Sequence, residues 1–186
     1  MSNQIIERVK VKPNKIYHAK QLDDNMAVLQ EANRFSLSKI IDRYSEDHSL
    51  PVNVAEDHAK ELVRFLVICA INPDKRYTML GPVDEFWHTF LMFTKEYSIF
   101  CQRIAGRFIH HIPANPVKNE KDRKTELEGY KEFLRTYKEV FREEPPKIYW
   151  PNPQAPTLNA NNCGNVQDCF GGCFGGCFGC RACIKS

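Results

Sequence analysis

Six of the eight cysteines of this chain lie between residue 163 and the last residue, 186, at spacings that suit metal chelation. They are Cys163, Cys169, Cys173, Cys177, Cys180 and Cys183, separated by five, three, three, two and two residues. Loops of this length let neighbouring thiolates reach one tetrahedral zinc ion, and the interspersed glycines permit the tight turns that chelation needs. The spacing therefore predicts a tail that coordinates zinc or a related soft metal.

Three other interpretations of the tail stay open. An iron–sulfur cluster fits the spacing less well, because the ordered ferredoxin run with its closing proline is absent. The cysteines could be incidental to a Gly-rich repeat without fixed structure, because low-complexity segments commonly have none. Alternatively, the repeated Cys-Phe-Gly-Gly blocks at residues 169–180 have the layout of a peptide substrate that a partner enzyme modifies.

A second candidate site combines a carboxylate with imidazoles. Asp84 and His88 are four residues apart and share one helix face, and His110 and His111 follow in the next turn region. Such a group could bind zinc or another divalent ion, and a metal-dependent enzyme is the corresponding function. We favour a structural interpretation, in which His88 is a buried hydrogen-bonding group and Asp84 accepts from its ring N–H.

Neither of the remaining cysteines joins these sites. Cys101 follows His88 by 13 residues, about 220° further round an ideal helix, so one straight helix cannot present both to one ion. Cys69 and Cys101 are expected to pack in the core. The chain also lacks the motifs of nucleophilic catalysis, phosphate binding and dinucleotide binding, so we expect a non-enzymatic module that binds metal or docks to a protein partner.

The elements that position these residues are helical. Apolar periodicity predicts one or two helices in residues 23–47 with a break at 36–38, and a helix after Asn53, where Glu56 completes a capping box. A further helix is predicted from Pro82 to about Ile104, and its many aromatic residues make it the expected centre of the fold. A last helix is predicted over about residues 120–142. The fold class is therefore a compact all-α domain of four to six helices.

The domain organisation follows from composition. We predict an N-terminal arm over residues 1–19, a helical domain over 20–142, a proline-rich spacer over 143–162 and the Cys/Gly-rich tail over 163–186. Five prolines between residues 145 and 156 prevent a helix and favour an extended segment. Tyr149 and Trp150 within it could dock back on the domain.

Charge and hydropathy limit the partners and the cellular location that the sequence allows. The 26 basic and 23 acidic residues give a formal charge of +3, which is too small to indicate a nucleic-acid partner. The longest apolar run, residues 65–71, is far shorter than the roughly 18 residues that a membrane span needs, and no secretory signal is evident. We therefore expect a cytoplasmic protein whose thiols stay reduced and available to metal.

The residues around the second candidate site carry a resemblance. They are residues 83–90 with their Trp-His pair, Tyr97, Cys101, residues 106–108 and residues 110–113. This pattern resembles the signature of the glycine-rich domain-containing protein-like family. The resemblance implies a helical domain followed by a Gly- or Cys-rich C-terminal extension, and it supplies no activity. Many members have a second His two residues after the first, where this chain has Phe90, which weakens a metal site that needs a His-x-His pair.

Overall fold

The computed structural model describes residues 15–79, 81–112 and 120–153. These residues form six helices and no strand, so the predicted all-α fold is confirmed. The helices are α1 (Lys15–Asn33), α2 (Ser38–Asp47), α3 (Val52–Ile71), α4 (Val83–Met92), α5 (Thr94–Ala105) and α6 (Glu120–Phe141). None of the helices in this part of the chain combines the length and the apolar composition that crossing a bilayer requires.

The centre of the fold is α3, which packs against each of the other five helices. Its buried side chains include Leu62, Phe65 and Leu66. The sequence prediction that the helix beginning at Pro82 forms the centre was therefore wrong. The predicted capping box was also wrong, because α3 begins at Val52 with Pro51 as its N-cap and Asn53 lies inside the first turn.

The predicted helix from Pro82 to Ile104 is two helices, α4 and α5, separated at Phe93. On one straight helix, residues seven apart are about 10 Å apart along the axis. The break instead brings the rings of Phe90 and Tyr97 to a centroid distance of 5.0 Å, and those of Phe90 and Phe100 to 5.5 Å. The break therefore lets the aromatic residues of both helices enter one core.

The segment after α6 returns to the domain. Trp150 is 2% exposed, and its Nε1 donates to Glu61 Oε2 at 2.6 Å. The Tyr149 hydroxyl donates to Asp57 Oδ2 at 3.0 Å, and the Tyr130 hydroxyl donates to the Pro151 carbonyl at 2.8 Å. The predicted docking of Tyr149 and Trp150 is thus present, and the domain's packing continues at least to Pro151.

A buried carboxylate anchors this returning segment. The Glu61 side chain is 3% exposed and accepts from the Tyr137 hydroxyl at 3.1 Å as well as from Trp150. Arg64 lies 3.8 Å from Glu61, donates to the Tyr137 hydroxyl and pairs with Glu143 at 2.9 Å. Burying a carboxylate is costly unless it is paired and hydrogen-bonded, and this network supplies both kinds of partner.

Several predicted segments lie outside the described residues. These are residues 1–14 of the arm, the spacer beyond residue 153 and the whole Cys/Gly-rich tail.

Candidate metal centre

Helix α4 contributes two of the three candidate ligands. Val83, Phe86, Trp87 and Phe90 form its buried face. Asp84 lies in the first turn and His88 one turn later, so both side chains leave the same side of the helix. An acidic residue in the first turn also interacts favourably with the positive end of the helix dipole. The local sequence thus places a carboxylate and an imidazole side by side at the edge of the core.

The third ligand, His111, comes from the loop after α5. Gly106 ends α5 with a φ of 64°, the left-handed conformation that glycine adopts without strain. The Tyr97 hydroxyl, which accepts from Trp87 Nε1 at 3.0 Å, donates to the Ile109 carbonyl at 2.6 Å. These buried hydrogen bonds hold the loop backbone at Ile109, two residues before His111, and the His111 ring itself contacts Asp84 and Trp87.

Asp84, His88 and His111 each offer one ligand atom, and these three atoms lie within 4.8 Å of one another. His111 Nε2 is 2.9 Å from Asp84 Oδ1, and His88 Nε2 is 3.8 Å from Asp84 Oδ2. The rings of His88 and His111 have a centroid distance of 4.7 Å. Ligands around a tetrahedral zinc ion at bond lengths of about 2.0 Å are separated by about 3.3 Å. Small side-chain adjustments would therefore bring all three atoms to bonding distance of one ion.

The surroundings of the three ligands differ in burial. The His111 side chain is 11% exposed and packs edge to face on Trp87, with ring centroids 4.4 Å apart. The His88 side chain is 49% exposed, and Glu85 Oε2 lies 3.8 Å from its Nδ1. Carboxylates beside a ligating imidazole commonly orient its ring and favour the tautomer that presents the other nitrogen to the metal. At 3.8 Å, Glu85 is beyond hydrogen-bonding distance of His88, and no described contact orients the His88 ring in this way.

The structure corrects two expectations for this site. His88 is not a buried partner of Asp84, because Trp87 and Phe90 occupy the core side of α4 and turn His88 outward; His111 is the hydrogen-bonding partner instead. His110 does not join the other three residues: its side chain is exposed and its ring lies 5.0 Å from that of Phe108. Exposure alternates along this loop, in which Ile109 is buried and His110 is exposed, and His111 contacts α4 at Asp84 and Trp87.

The cysteines are distributed as expected where the structure describes them. Cys101 is buried and Cys69 is partly buried against the core. Burial raises the pKa of the Cys69 thiol to about 12 and also raises the pKa of Cys101, so neither is poised as a thiolate ligand. The six tail cysteines, Cys163, Cys169, Cys173, Cys177, Cys180 and Cys183, lie outside the described residues.

Sequence reasoning missed a buried imidazole in α3. His58 is 3% exposed; its Nδ1 is hydrogen-bonded to the Tyr44 hydroxyl at 3.0 Å, and its Nε2 has no hydrogen-bond partner among the described residues. Burial lowers the pKa of His58 to about 4. The sequence did carry a signal for this burial. His58 follows Ala55 by three residues and precedes Leu62 by four, which places it within the apolar stripe of α3.

A family model matches residues 24–146, about two thirds of the chain, and is described as UCP032817-like. The chain belongs to the UCP032817-like family. The matched range contains Asp84, His88 and His111, and it ends before Trp150 and the Cys/Gly-rich tail. No curated protein and no solved structure matches the chain. The resemblance to the glycine-rich domain-containing protein-like family stays a prediction.

Proposed function

We propose that this UCP032817-like protein is a non-enzymatic metal-binding module whose helical domain holds a zinc ion through Asp84, His88 and His111. The observation that carries the proposal is the convergence of three ligand atoms, from α4 and from the loop after α5, within 4.8 Å of one another. Two imidazoles and a carboxylate suit zinc and other late divalent transition metals better than magnesium or calcium, which prefer oxygen ligands.

The test uses the whole chain with all six tail cysteines changed to serine, so that only the domain can bind. After equilibration with Zn²⁺ and removal of free metal, elemental analysis should find about one zinc per chain, as a single three-ligand site requires. Asp84→Asn, His88→Gln and His111→Gln should each weaken binding on calorimetric titration, because each removes one ligand from a small set.

His110→Gln is the matched control, because His110 is adjacent to His111 in sequence, is exposed, and is not among the residues whose ligand atoms converge. It should leave zinc affinity unchanged. If the serine chain takes up no zinc, or if the three ligand variants bind as well as the control, the proposal is wrong.

A second zinc position in the tail is favoured by the spacing of Cys173, Cys177, Cys180 and Cys183. Thiolate ligation requires reduced thiols, so we place the protein in the cytoplasm. The unmodified full-length chain should bind more zinc than the serine chain, and deletion of residues 163–186 should remove the excess. Equal zinc content in the full-length and deleted chains would contradict a tail site.

The repeated Cys-Phe-Gly-Gly blocks also support a different candidate function, in which the chain is a substrate for a partner enzyme that modifies its tail. Intact mass spectrometry separates the two functions. An unmodified mass from the native host, with six tail thiols that alkylate after metal removal, supports metal binding. A mass difference that maps to residues 169–183 would favour the substrate function.

A further inference from the structure

Neighbouring side chains of α3 hold the segment that returns to the domain after α6. The Tyr149 hydroxyl donates to Asp57, and the Trp150 indole donates to Glu61, one turn further along α3. Between these two contacts, the ring of His58 packs edge to face on the ring of Tyr149, with centroids 5.4 Å apart. His58 is therefore part of the surface to which the returning segment is attached.

His58 is buried without a partner for one of its ring nitrogens. It is 3% exposed, its Nδ1 is hydrogen-bonded to the Tyr44 hydroxyl, and its Nε2 has no hydrogen-bond partner among the described residues. Such a buried atom loses the hydrogen bond that water would give it. Tyr44 belongs to α2 and is 2% exposed, whereas Tyr149 is only partly buried. Displacing Tyr149 would thus open His58 to water without separating α2 from α3.

The titratable groups that face the His58 ring belong to α2, α3 and the returning segment, and they are Tyr44, His48, Asp57 and Tyr149. Burial is the largest influence and lowers the pKa of His58 to about 4, while Asp57 favours the protonated ring and His48 disfavours it. Burial also raises the pKa of both tyrosine hydroxyls, and Glu85 on α4 adds to this effect for Tyr44. Both hydroxyls therefore stay neutral in acid.

We propose that protonation of His58 releases the returning segment, residues 145–151, so that the contact between His58 and Tyr149 works as an acid-sensitive latch. The charged ring has a second N–H that no described group accepts, and displacement of Tyr149 exposes this N–H to water. The same displacement frees the Asp57 carboxylate, which attracts the imidazolium. None of these residues is a candidate metal ligand, so the latch is independent of the proposed metal site.

Proton linkage gives the direction and the size of the effect. Above about pH 6.5, His58 is neutral in both the attached and the released states, and the latch does not respond to pH. As the pH falls, the released state binds the proton first, because an exposed ring has a pKa near 6.5 and the attached ring has a pKa of about 4. The equilibrium constant for release should therefore be about 20-fold larger at about pH 5 than at about pH 7.

The experiment measures amide hydrogen exchange by mass spectrometry on the whole chain at these two pH values, with chelator present so that metal binding does not contribute. The probes are the amides of Tyr149 and Trp150, which donate to the Pro146 carbonyl at 3.0 and 2.8 Å. After correction for intrinsic exchange rates, the opening constant of peptides that contain them should rise about 20-fold at the lower pH. Ordinary carboxyl groups have pKa values near 4 and contribute little in this range.

Three variants complete the design. His58→Gln removes the titration and should abolish the pH-dependent rise, whereas His110→Gln, which removes an exposed imidazole, should retain it. Tyr149→Phe keeps a ring on His58 and removes only the hydrogen bond to Asp57. It should open more at both pH values and preserve the ratio between them.

Opening that does not increase at the lower pH, or that increases equally in His58→Gln, overturns the inference. The segment must also open more readily than the most protected amides of α3 and α6 at both pH values. Equal opening constants would mean that the segment leaves only when the whole domain unfolds, which overturns the latch as well. This last comparison is made within the unmodified chain, so it decides the question even if His58→Gln does not fold.

Discussion

Acidification should destabilise this protein through His58. The His58 ring is buried, its Nδ1 is hydrogen-bonded to Tyr44, and no acceptor in the described part of the chain faces its Nε2. Burial is the largest cause of its lowered pKa of about 4, the nearby His48 lowers it further, and Asp57 opposes both. A protonated ring would carry a charge, and a second N–H, into a site that satisfies neither.

The direction in which the free energy of unfolding changes with pH follows from proton linkage. An unfolded-state histidine has a pKa near 6.5, so between about pH 6.5 and pH 4 the unfolded chain binds a proton at His58 that the folded chain does not. The free energy of unfolding therefore falls as the pH is lowered through this range, and the His58 contribution is constant above it. A difference of about 2.5 pKa units at about 1.36 kcal/mol each gives a loss of about 3 kcal/mol.

The assay compares the unmodified chain with His58→Gln, which removes the titration and retains a polar side chain near Tyr44. Urea unfolding followed by circular dichroism gives the free energy of unfolding at several pH values from neutral to about pH 4. Because carboxylate titration is common to both chains, the difference between them isolates His58. The free energy of the unmodified chain minus that of the variant should fall by about 3 kcal/mol over this range. His110→Gln, which removes an exposed imidazole, is the control and should not produce this pH-dependent difference. A difference that stays flat would refute the reasoning.

Three further predictions concern the fold. Trp150→Ala should lower the free energy of unfolding by about 3–5 kcal/mol in urea titrations, because it empties a core position and removes a donor from Glu61. A loss below about 1 kcal/mol would contradict the anchoring of the segment after α6 by Trp150. Deletion of residues 154–186 should leave the thermal midpoint within a few degrees in the presence of chelator, because the described core ends before it. Gly129→Ala should destabilise by about 1–3 kcal/mol, since its Cβ would lie 2.6 Å from Thr78 Oγ1, and the loss should shrink in a Thr78→Ala background.

Local pattern was sufficient to predict some of the helix bounds, but not the start of α1, which begins at Lys15 within the predicted N-terminal arm. The break between α1 and α2 and the bounds of α6 follow the apolar periodicity closely. The break between α4 and α5 could not be predicted from apolar periodicity, because the continuous apolar run around Phe93 has no period that marks a break. That break is decided by contacts between residues such as Phe90 and Tyr97, which only the packed core supplies.

In the candidate site, too, local sequence pattern predicts positions on one helix but not contacts between separate segments. The four-residue spacing of Asp84 and His88 predicted their shared face correctly, because that is a property of the helix alone. The choice between His110 and His111 depends on tertiary contacts of the loop, namely the hydrogen bond from Tyr97 to the Ile109 carbonyl and the contacts of the His111 ring with Asp84 and Trp87. No local pattern in the sequence encodes such a long-range constraint.

The two tryptophans of the chain occupy two separate places in the domain. Trp87 touches the ring of His111, and Trp150 holds the segment after α6 against the domain through Glu61. Their indoles are therefore intrinsic optical probes of two separate events, metal binding at the cluster and release of the segment after α6. In a Trp150→Phe chain the remaining emission would arise beside the metal ligands, so the protein can report its own metal occupancy without an attached dye.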